Sequence, residues 1–124
     1  ASNMSITDAT MEYLTRVEAF AKKHDVLVIV VAHPTKMYKK DDGTIDEPNM
    51  YNIKGGGEWY DASYHGLLVH RDYEKQTVKV KVLKVKFQNL GENQAEAHFT
   101  WDKVSGNYIP ITQQIKNDMP WEVD

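Results

Sequence analysis

The sequence contains no cysteine. That excludes a disulfide framework, cysteine-ligated zinc and thiol catalysis. Long hydrophobic runs are missing too. The longest uninterrupted apolar stretch, Val26 to Ala32, is seven residues, far short of the roughly 20 that span a bilayer. No membrane partner is expected. No charged stretch followed by an apolar one opens the chain, so no secretory leader is read there and a cytoplasmic location is expected. Positive charge is not in excess. Fifteen Lys and Arg against 18 Asp and Glu give a net charge of −3 and a pI near 5.9. A globally basic nucleic-acid binder is excluded, while a local basic face is not. The pattern G-x-x-x-x-G-K-[ST] is absent, so this chain carries no triphosphate cradle of its own. The acidic cluster Asp41 to Glu47 lacks the spacing of a calcium loop, and no metal site is expected. What is present is 124 residues, 41% hydrophobic and 27% charged. That suffices for one small domain or a piece of a larger one.

Ser5-Ile6-Thr7-Asp8 carries helix-starting chemistry, since its side-chain oxygens can accept from free backbone N–H groups. Met11, Leu14, Val17, Phe20 and Ala21 then recur at spacings of three and four. This predicts a helix with one apolar stripe, ending near Lys22-Lys23, whose charge suits a helix C-terminus. Val26 to Ala32 has no alternation and reads as a strand covered on both faces, as in a parallel sheet. From His33 to Lys54, 22 mostly polar residues show no regular spacing, the mark of a functional or mobile loop. Glu58 to Tyr64 reads as a short helix after Gly55-Gly56-Gly57. Gly66 to His70 reads as a buried strand, Thr77 to Phe87 and Ala95 to Trp101 as alternating strands, and Asp102 to Gly106 as a hairpin loop leading to Asn107-Tyr108-Ile109. Residues 1–4 read as vector-derived, 5–110 as the domain and 111–124 as a polar, acidic tail. No internal repeat is present.

Several residues invite a chemical reading. His33 follows a buried strand, and ligands of open parallel sheets collect at strand carboxyl ends. A neutral imidazole there can hydrogen-bond a phosphate oxygen, or it simply ends a strand before Pro34. Lys36, Lys39 and Lys40, with Lys54 at the far end and Tyr38 and Tyr51 between them, are the ingredients of a single-strand-binding loop. Asp41, Asp42, Asp46 and Glu47 balance those lysines, as they would in a solvated loop. Gly55, Gly56 and Gly57 can bring backbone N–H groups against a phosphate, or merely turn the chain. From Lys75 to Lys86 there are five lysines and no acid, a basic stripe or a lysine-protected strand edge. Beyond Val78, Val80 and Val82 the apolar parity switches to Leu83, Val85 and Phe87. Either a bulge near Val82-Leu83 corrects this, or the strand end leaves the sheet and carries Lys84 and Lys86 to something outside.

In order, the chain shows a helix, Val-Leu-Val-Ile-Val-Val-Ala-His-Pro-Thr-Lys from Val26 to Lys36, a lysine-bearing loop, and Tyr51-Asn52-Ile53-Lys54-Gly55-Gly56-Gly57. Leu67-Leu68-Val69-His70-Arg71, Val82-Leu83-Lys84-Val85-Lys86-Phe87 and Phe99 to Gly106 follow. From about Met11 to Pro110 this resembles the C-terminal half of a DnaB-like, RecA-type hexameric helicase domain, in its phage primase–helicase and Twinkle-like branch. The resemblance implies an α/β fold, a partial RecA-like P-loop NTPase core whose largely parallel sheet ends in antiparallel strands and a hairpin. It implies that His33 senses the γ-phosphate and that the loop bearing Lys36, Lys39 and Lys40 faces DNA in a central channel. It implies that Lys54, Gly55, Gly56 and Gly57 touch the single strand largely through backbone. Lys84 and Lys86 match a Lys-x-Arg pair that reaches a neighbouring subunit's ATP.

For the parent protein the resemblance implies ATP with Mg2+, single-stranded DNA, a homo-hexamer, and replication partners met through the acidic tail. Walker A and Walker B segments would precede this sequence, so a fragment of a longer polypeptide is expected, with no cofactor bound by the fragment alone. Three positions depart from the pattern. Lys86 replaces an arginine and has no bidentate fork, Asp61 stands where a glutamine is usual, and Tyr64 where an acid is common. Two other readings share the fold: a non-catalytic single-stranded DNA-binding or assembly module, and a recombinase-type or circadian-clock-type RecA ATPase.

Overall fold

A computed structural model describes residues 4–111. Residues 1–3 of the vector-derived reading and residues 112–124 of the acidic tail lie outside them. The chain divides into two compact units, Ala1–Gly66 and Leu67–Asp124, each described by itself.

The first unit opens with α1 (Ile6–His24). The Ser5 hydroxyl oxygen accepts from the Asp8 backbone N–H at 3.1 Å, satisfying one of the donors that a helix start leaves free. At the other end Asp25 turns left-handed at φ 49°, and the N–H groups of Asp25 and Val26 both donate to the Ala21 carbonyl. Lys22, Lys23 and His24 stand in the last turn, where cations oppose the helix dipole. The apolar stripe matches the predicted one at Leu14, Val17 and Ala21 and departs from it at Met11 and Phe20. Thr10 and Leu14 are buried with Val17, Glu18 and Ala21 half-buried, whereas Met11 and Phe20 are 46% and 54% exposed. The face is turned toward Thr10 because that short side chain admits the close approach of a glycine, described below.

Val26–Ala32 departs from its expected form as well. It belongs to no helix or strand, and Leu27, Ile29 and Val31 are 82%, 77% and 83% exposed. Val28, Val30 and Ala32 between them are half-buried, the two-residue period of a pleated chain. A strand needs a neighbour for its N–H and C=O groups, and among the described residues this segment has no ladder partner. Two short elements complete the unit, a 3-10 turn at Met50–Asn52 and α2 (Gly57–Ala62).

A sheet of four strands follows in sequential order, β1 (His65–Asp72, its first two residues in the first unit), β2 (Thr77–Val85), β3 (Glu96–Trp101) and β4 (Tyr108–Pro110). β2 runs antiparallel to β3 with Val78 opposite Phe99 and Lys81 opposite Glu96, and β3 antiparallel to β4 with Trp101 opposite Tyr108. The parity switch falls just past the end of the β2–β3 ladder. Val82 donates to the Ala95 carbonyl at 2.9 Å and accepts from Gln94 N–H at 2.8 Å, so two residues face one, and Gln94 sits at φ 68°. The bulge is therefore on the opposing segment rather than within β2. Past it, Val85 N–H donates to the Asn93 side chain at 2.7 Å in place of a ladder bond. Val78 and Val85, of opposite parity, are both buried.

The β3–β4 turn is held by Asp102. Its carboxylate accepts from Val104 N–H at 3.1 Å and from the Ser105 hydroxyl at 2.6 Å, and Gly106 takes the left-handed position at φ 73°. The Ser105 bond first, then the Val104 N–H, hold this carboxyl below the usual aspartate range. In the first unit Asp42 is lowered likewise by the hydroxyl and N–H of Thr44. A carboxyl with a depressed folded-state pKa contributes stability above its unfolded value, about 4, and loses it as pH falls through the lower folded value. Thermal melts are thus expected to be level above about pH 5 and to fall from about pH 4 downward. Asp102→Asn should lower the neutral-pH midpoint and flatten part of that acid limb. An unchanged midpoint and limb would show that the turn bonds contribute nothing.

Candidate nucleic-acid interface

The segment from His33 to Lys54 is built, not featureless. Pro34 bridges antiparallel to Ile53, and Thr35 N–H donates to the Asn52 carbonyl at 2.7 Å. Its two ends are therefore joined, which places the exposed His33 and the exposed Lys54 each one residue from the same bridge. At the far end Lys39 bridges Ile45, Lys40 N–H donates to the Thr44 carbonyl at 2.7 Å, and Gly43 N–H returns to the Lys40 carbonyl at 2.9 Å. With Gly43 at φ 82°, Asp41-Asp42-Gly43 forms a three-residue hairpin loop. Asp42 accepts from the N–H and hydroxyl of Thr44 at 2.9 and 2.6 Å.

The loop's charges follow from that frame. Lys40 is paired with Asp46 at 2.6 Å. Lys36 lies 5.5 Å from the centre of the exposed Tyr38 ring, within cation–π range. Lys39 and Lys54 are exposed. Asp42 and Asp46 hold turn and pair geometry, and lysines 36, 39 and 54 are exposed.

Gly55, Gly56 and Gly57 differ in what they require. Gly55 sits at φ 106°, and a side chain on it would collide with the side chain of buried Thr10 on α1. The Thr10 hydroxyl is already given to the Ile6 carbonyl at 2.8 Å. Gly56, at φ 68°, precedes α2. Gly57 is less constrained, since a Cβ there would meet only the Tyr51 ring at 3.6 Å. Trp59 donates its indole N–H to the Lys54 carbonyl at 3.0 Å, fixing the chain just before the glycines. Tyr64, where the resemblance would have an acid, instead binds one. Its hydroxyl donates to Glu18 at 2.8 Å, and Lys22 pairs with the same oxygen at 2.8 Å. The hydrogen bond to Glu18, then its charge, raise the Lys22 ammonium above its ordinary value.

Lys84 and Lys86 belong to the second unit. Lys84 is half-buried near the end of β2, beyond the β2–β3 ladder. Lys86 is exposed past the strand, its ammonium 5.9 Å from the Phe87 ring centre. Of the basic stripe, Lys79 and Lys81 lie 3.7 and 3.9 Å from Glu96, which also meets His98 at 3.0 Å. The cross-strand register Lys79–His98 and Lys81–Glu96 brings these groups together.

One arrangement escaped the sequence reading. Arg71, near the end of β1, stacks its guanidinium 4.3 Å from the Trp101 ring centre and donates to the Tyr108 hydroxyl at 3.1 Å. Tyr73 lies alongside at 5.5 Å, and its hydrogen bond, opposed by desolvation, leads the causes that raise the arginine further above its ordinary value. Arg71, Tyr73 and Trp101 border a hollow of about 110 Å³ with Gln76, Val78 and Lys103. Arginine and aromatics stacked at a strand end offer a flat surface to a nucleobase. Strand register brings them together, so only the alternation of β1 and β3 could have pointed to it.

No protein-family profile matches the chain. It is 28% identical over 113 residues to a protein of Arabidopsis thaliana named Twinkle homolog protein, chloroplastic/mitochondrial. The match takes in 86% of this chain and 15% of that protein. This is a distant relationship to Twinkle and DnaB-like helicases, and the chain spans a small part of the relative's length. No helix among the described residues is long and apolar enough to cross a membrane.

The glycines give a direct test. Gly55→Ala is expected to destabilise the chain by about 1–3 kcal/mol through its positive φ and the collision with Thr10. Gly57→Ala should stay within about 0.5 kcal/mol, read from urea unfolding. Adding Thr10→Ala to Gly55→Ala should recover part of the loss; equal effects at Gly55 and Gly57 would contradict the packing described.

Proposed function

We propose that this chain is the C-terminal part of the RecA-like motor domain of an ATP-dependent replicative DNA helicase, of the primase–helicase and Twinkle-like branch. The observation that carries the reading is the 28% identity to the Twinkle homolog across 86% of this chain. The arrangement of the residues is compatible with it. In the parent protein, taken as a cytoplasmic homo-hexamer, ATP lies between subunits and its hydrolysis moves single-stranded DNA through the ring.

His33, exposed beside the closed base of its loop, hydrogen-bonds the γ-phosphate and registers its loss. The same base holds Lys54 and the glycines, so a shift at the phosphate has a short covalent path to the DNA-contacting segment. Lys36, Lys39 and Lys54 set ammonium groups toward the DNA backbone. Lys84 and Lys86 offset charge developing on a neighbouring subunit's transferring phosphoryl group. Arg71 with Trp101 supplies a stacking surface for a base. Among the described residues no group of three or more His, Asp or Glu is placed to hold a metal ion. No step proposed for these residues runs through the magnesium that accompanies ATP.

The 124-residue chain by itself should release no phosphate from Mg-ATP. In the longer polypeptide, Lys86→Ala should leave ATP binding nearly intact and lower DNA-stimulated turnover about a hundredfold, as loss of a charge contact to a transferring phosphoryl group does. Lys86→Arg should keep much of the activity. Mixing Lys86→Ala subunits with partners that carry Lys86 but lack a working P-loop should restore turnover. Rings that assemble without any such rescue would remove Lys86 from the reaction.

A further inference from the structure

Tyr51 is held more firmly than an exposed loop residue ordinarily is. It occupies the middle of the 3-10 turn Met50–Asn52, with its N–H given to the Asn49 side chain at 2.9 Å. Asn52 accepts the Asn49 N–H in return at 2.8 Å, and Met50 beside it is buried. The Tyr51 ring stacks on Tyr60, with centroids 5.2 Å apart and planes 20° from parallel. One edge runs over Gly57. Even so, Tyr51 is 58% exposed. Tyr60 covers one face, and among the described residues no ring or cation is stacked on the other.

Neighbouring aromatics are placed differently. Trp59 is tied by its indole N–H to the Lys54 carbonyl and has Tyr13 at 6.4 Å. Tyr38 is exposed and its one ring neighbour among the described residues is the flexible Lys36. Tyr51 alone of these joins an open ring face to a pinned backbone, so little ordering remains to be done on binding. Lys54 is three residues on, and the exposed Lys36 and Lys39 lie in the same excursion, cations available to phosphate.

We propose that Tyr51 is a base-stacking residue: an unpaired base of single-stranded DNA lies on the open face of its ring, lengthening the Tyr51–Tyr60 stack, while Lys54 meets an adjacent phosphate. The inference rests on the DNA-contacting role proposed for this loop and extends it. Glycine backbone and lysine engage only the sugar–phosphate chain, whereas a stacking tyrosine makes binding depend on the presence of bases.

The test uses the full 124-residue chain at low salt and fluorescence anisotropy with two labelled probes. One is a thymidine oligonucleotide of about 16 nucleotides, the other an abasic strand with the same number of phosphates. The wild-type chain is expected to bind the base-bearing strand about tenfold more tightly. Tyr51→Ala should make the two strands equal without weakening the abasic one, and Tyr51→Phe should keep the preference. Lys54→Ala should weaken both strands alike and reduce the salt dependence by about one phosphate contact. If Tyr51→Ala melts early, Tyr51→Leu, which keeps bulk against Tyr60 without a π face, is expected to give the same equalisation. Equal wild-type binding of both strands, or a preference that survives loss of the ring, overturns the stacking role while leaving DNA contact by the loop in place. Failure of the wild type to bind either strand overturns both.

Discussion

Thr10, buried on α1 with its hydroxyl committed to the Ile6 carbonyl, leaves room beside it only for a residue without a side chain, and Gly55 takes that room. From this approach the rest of the first unit follows. Because Gly55 lies against α1, Lys54 before it and α2 after it are placed along the same helix, and the Trp59 indole can reach back to the Lys54 carbonyl. A second tight approach, Met50 against Gly66, seats the 3-10 turn that closes the loop. Two glycines thus fix the C-terminal end of the segment that carries the candidate DNA contacts, and the Pro34–Ile53 bridge ties its other end to it. The glycine run is not a choice between a turn and a binding motif, since the packing that demands Gly55 is also what presents its neighbours.

Composition misleads about charge in this loop. Four lysines and four acids sum to zero between His33 and Lys54, which suggests an inert solvated stretch. The geometry assigns those acids unequally. Asp42 caps the hairpin tip and Asp46 takes Lys40, both at the far end. Lys54 at the base has no carboxylate partner among the described residues. Interactions between exposed charges fade beyond a Debye length of about 8–10 Å.

Elements specified by neighbouring residues were legible in the sequence, and those specified by distant ones were not. Ser5 and the cation-rich last turn marked α1, and alternation marked β2 and β3, because caps and pleats are local. The loop's order was missed although its signals were present. Asn49 and Asn52 cap each other's backbone across the turn, and Asp41-Asp42-Gly43 closes a hairpin, both by short-range bonds that hydrophobic spacing does not reveal. The apolar run Val26–Ala32 was read as a strand on composition, yet a strand exists only through its neighbours. Arg71 and Trp101 are 30 positions apart in the sequence and meet only through strand register. Of the candidate site, the residue types were visible and the closed base, the turn-bound acids and the tyrosine stack were not.

The exposed face of Val26–Ala32 connects the fold to the function proposed. Leu27, Ile29 and Val31 are each about four-fifths exposed, and covering such side chains is worth about 1.5–3 kcal/mol apiece. Their sum is of the order of the whole stability of a small domain, about 5–15 kcal/mol. Among the described residues the buried apolar side chains are only Leu14 and Met50 in the first unit and Val78 and Val85 in the second. On the helicase reading, strands of the parent protein would cover this segment. His33 follows directly on Ala32, so its position would then be set by the same sheet that holds the rest of the nucleotide site. In this chain alone the histidine is anchored from one side, through the bridge of Pro34 to Ile53. Phosphate sensing would thus be a property of the assembled sheet, with the loop base already in place to receive the signal.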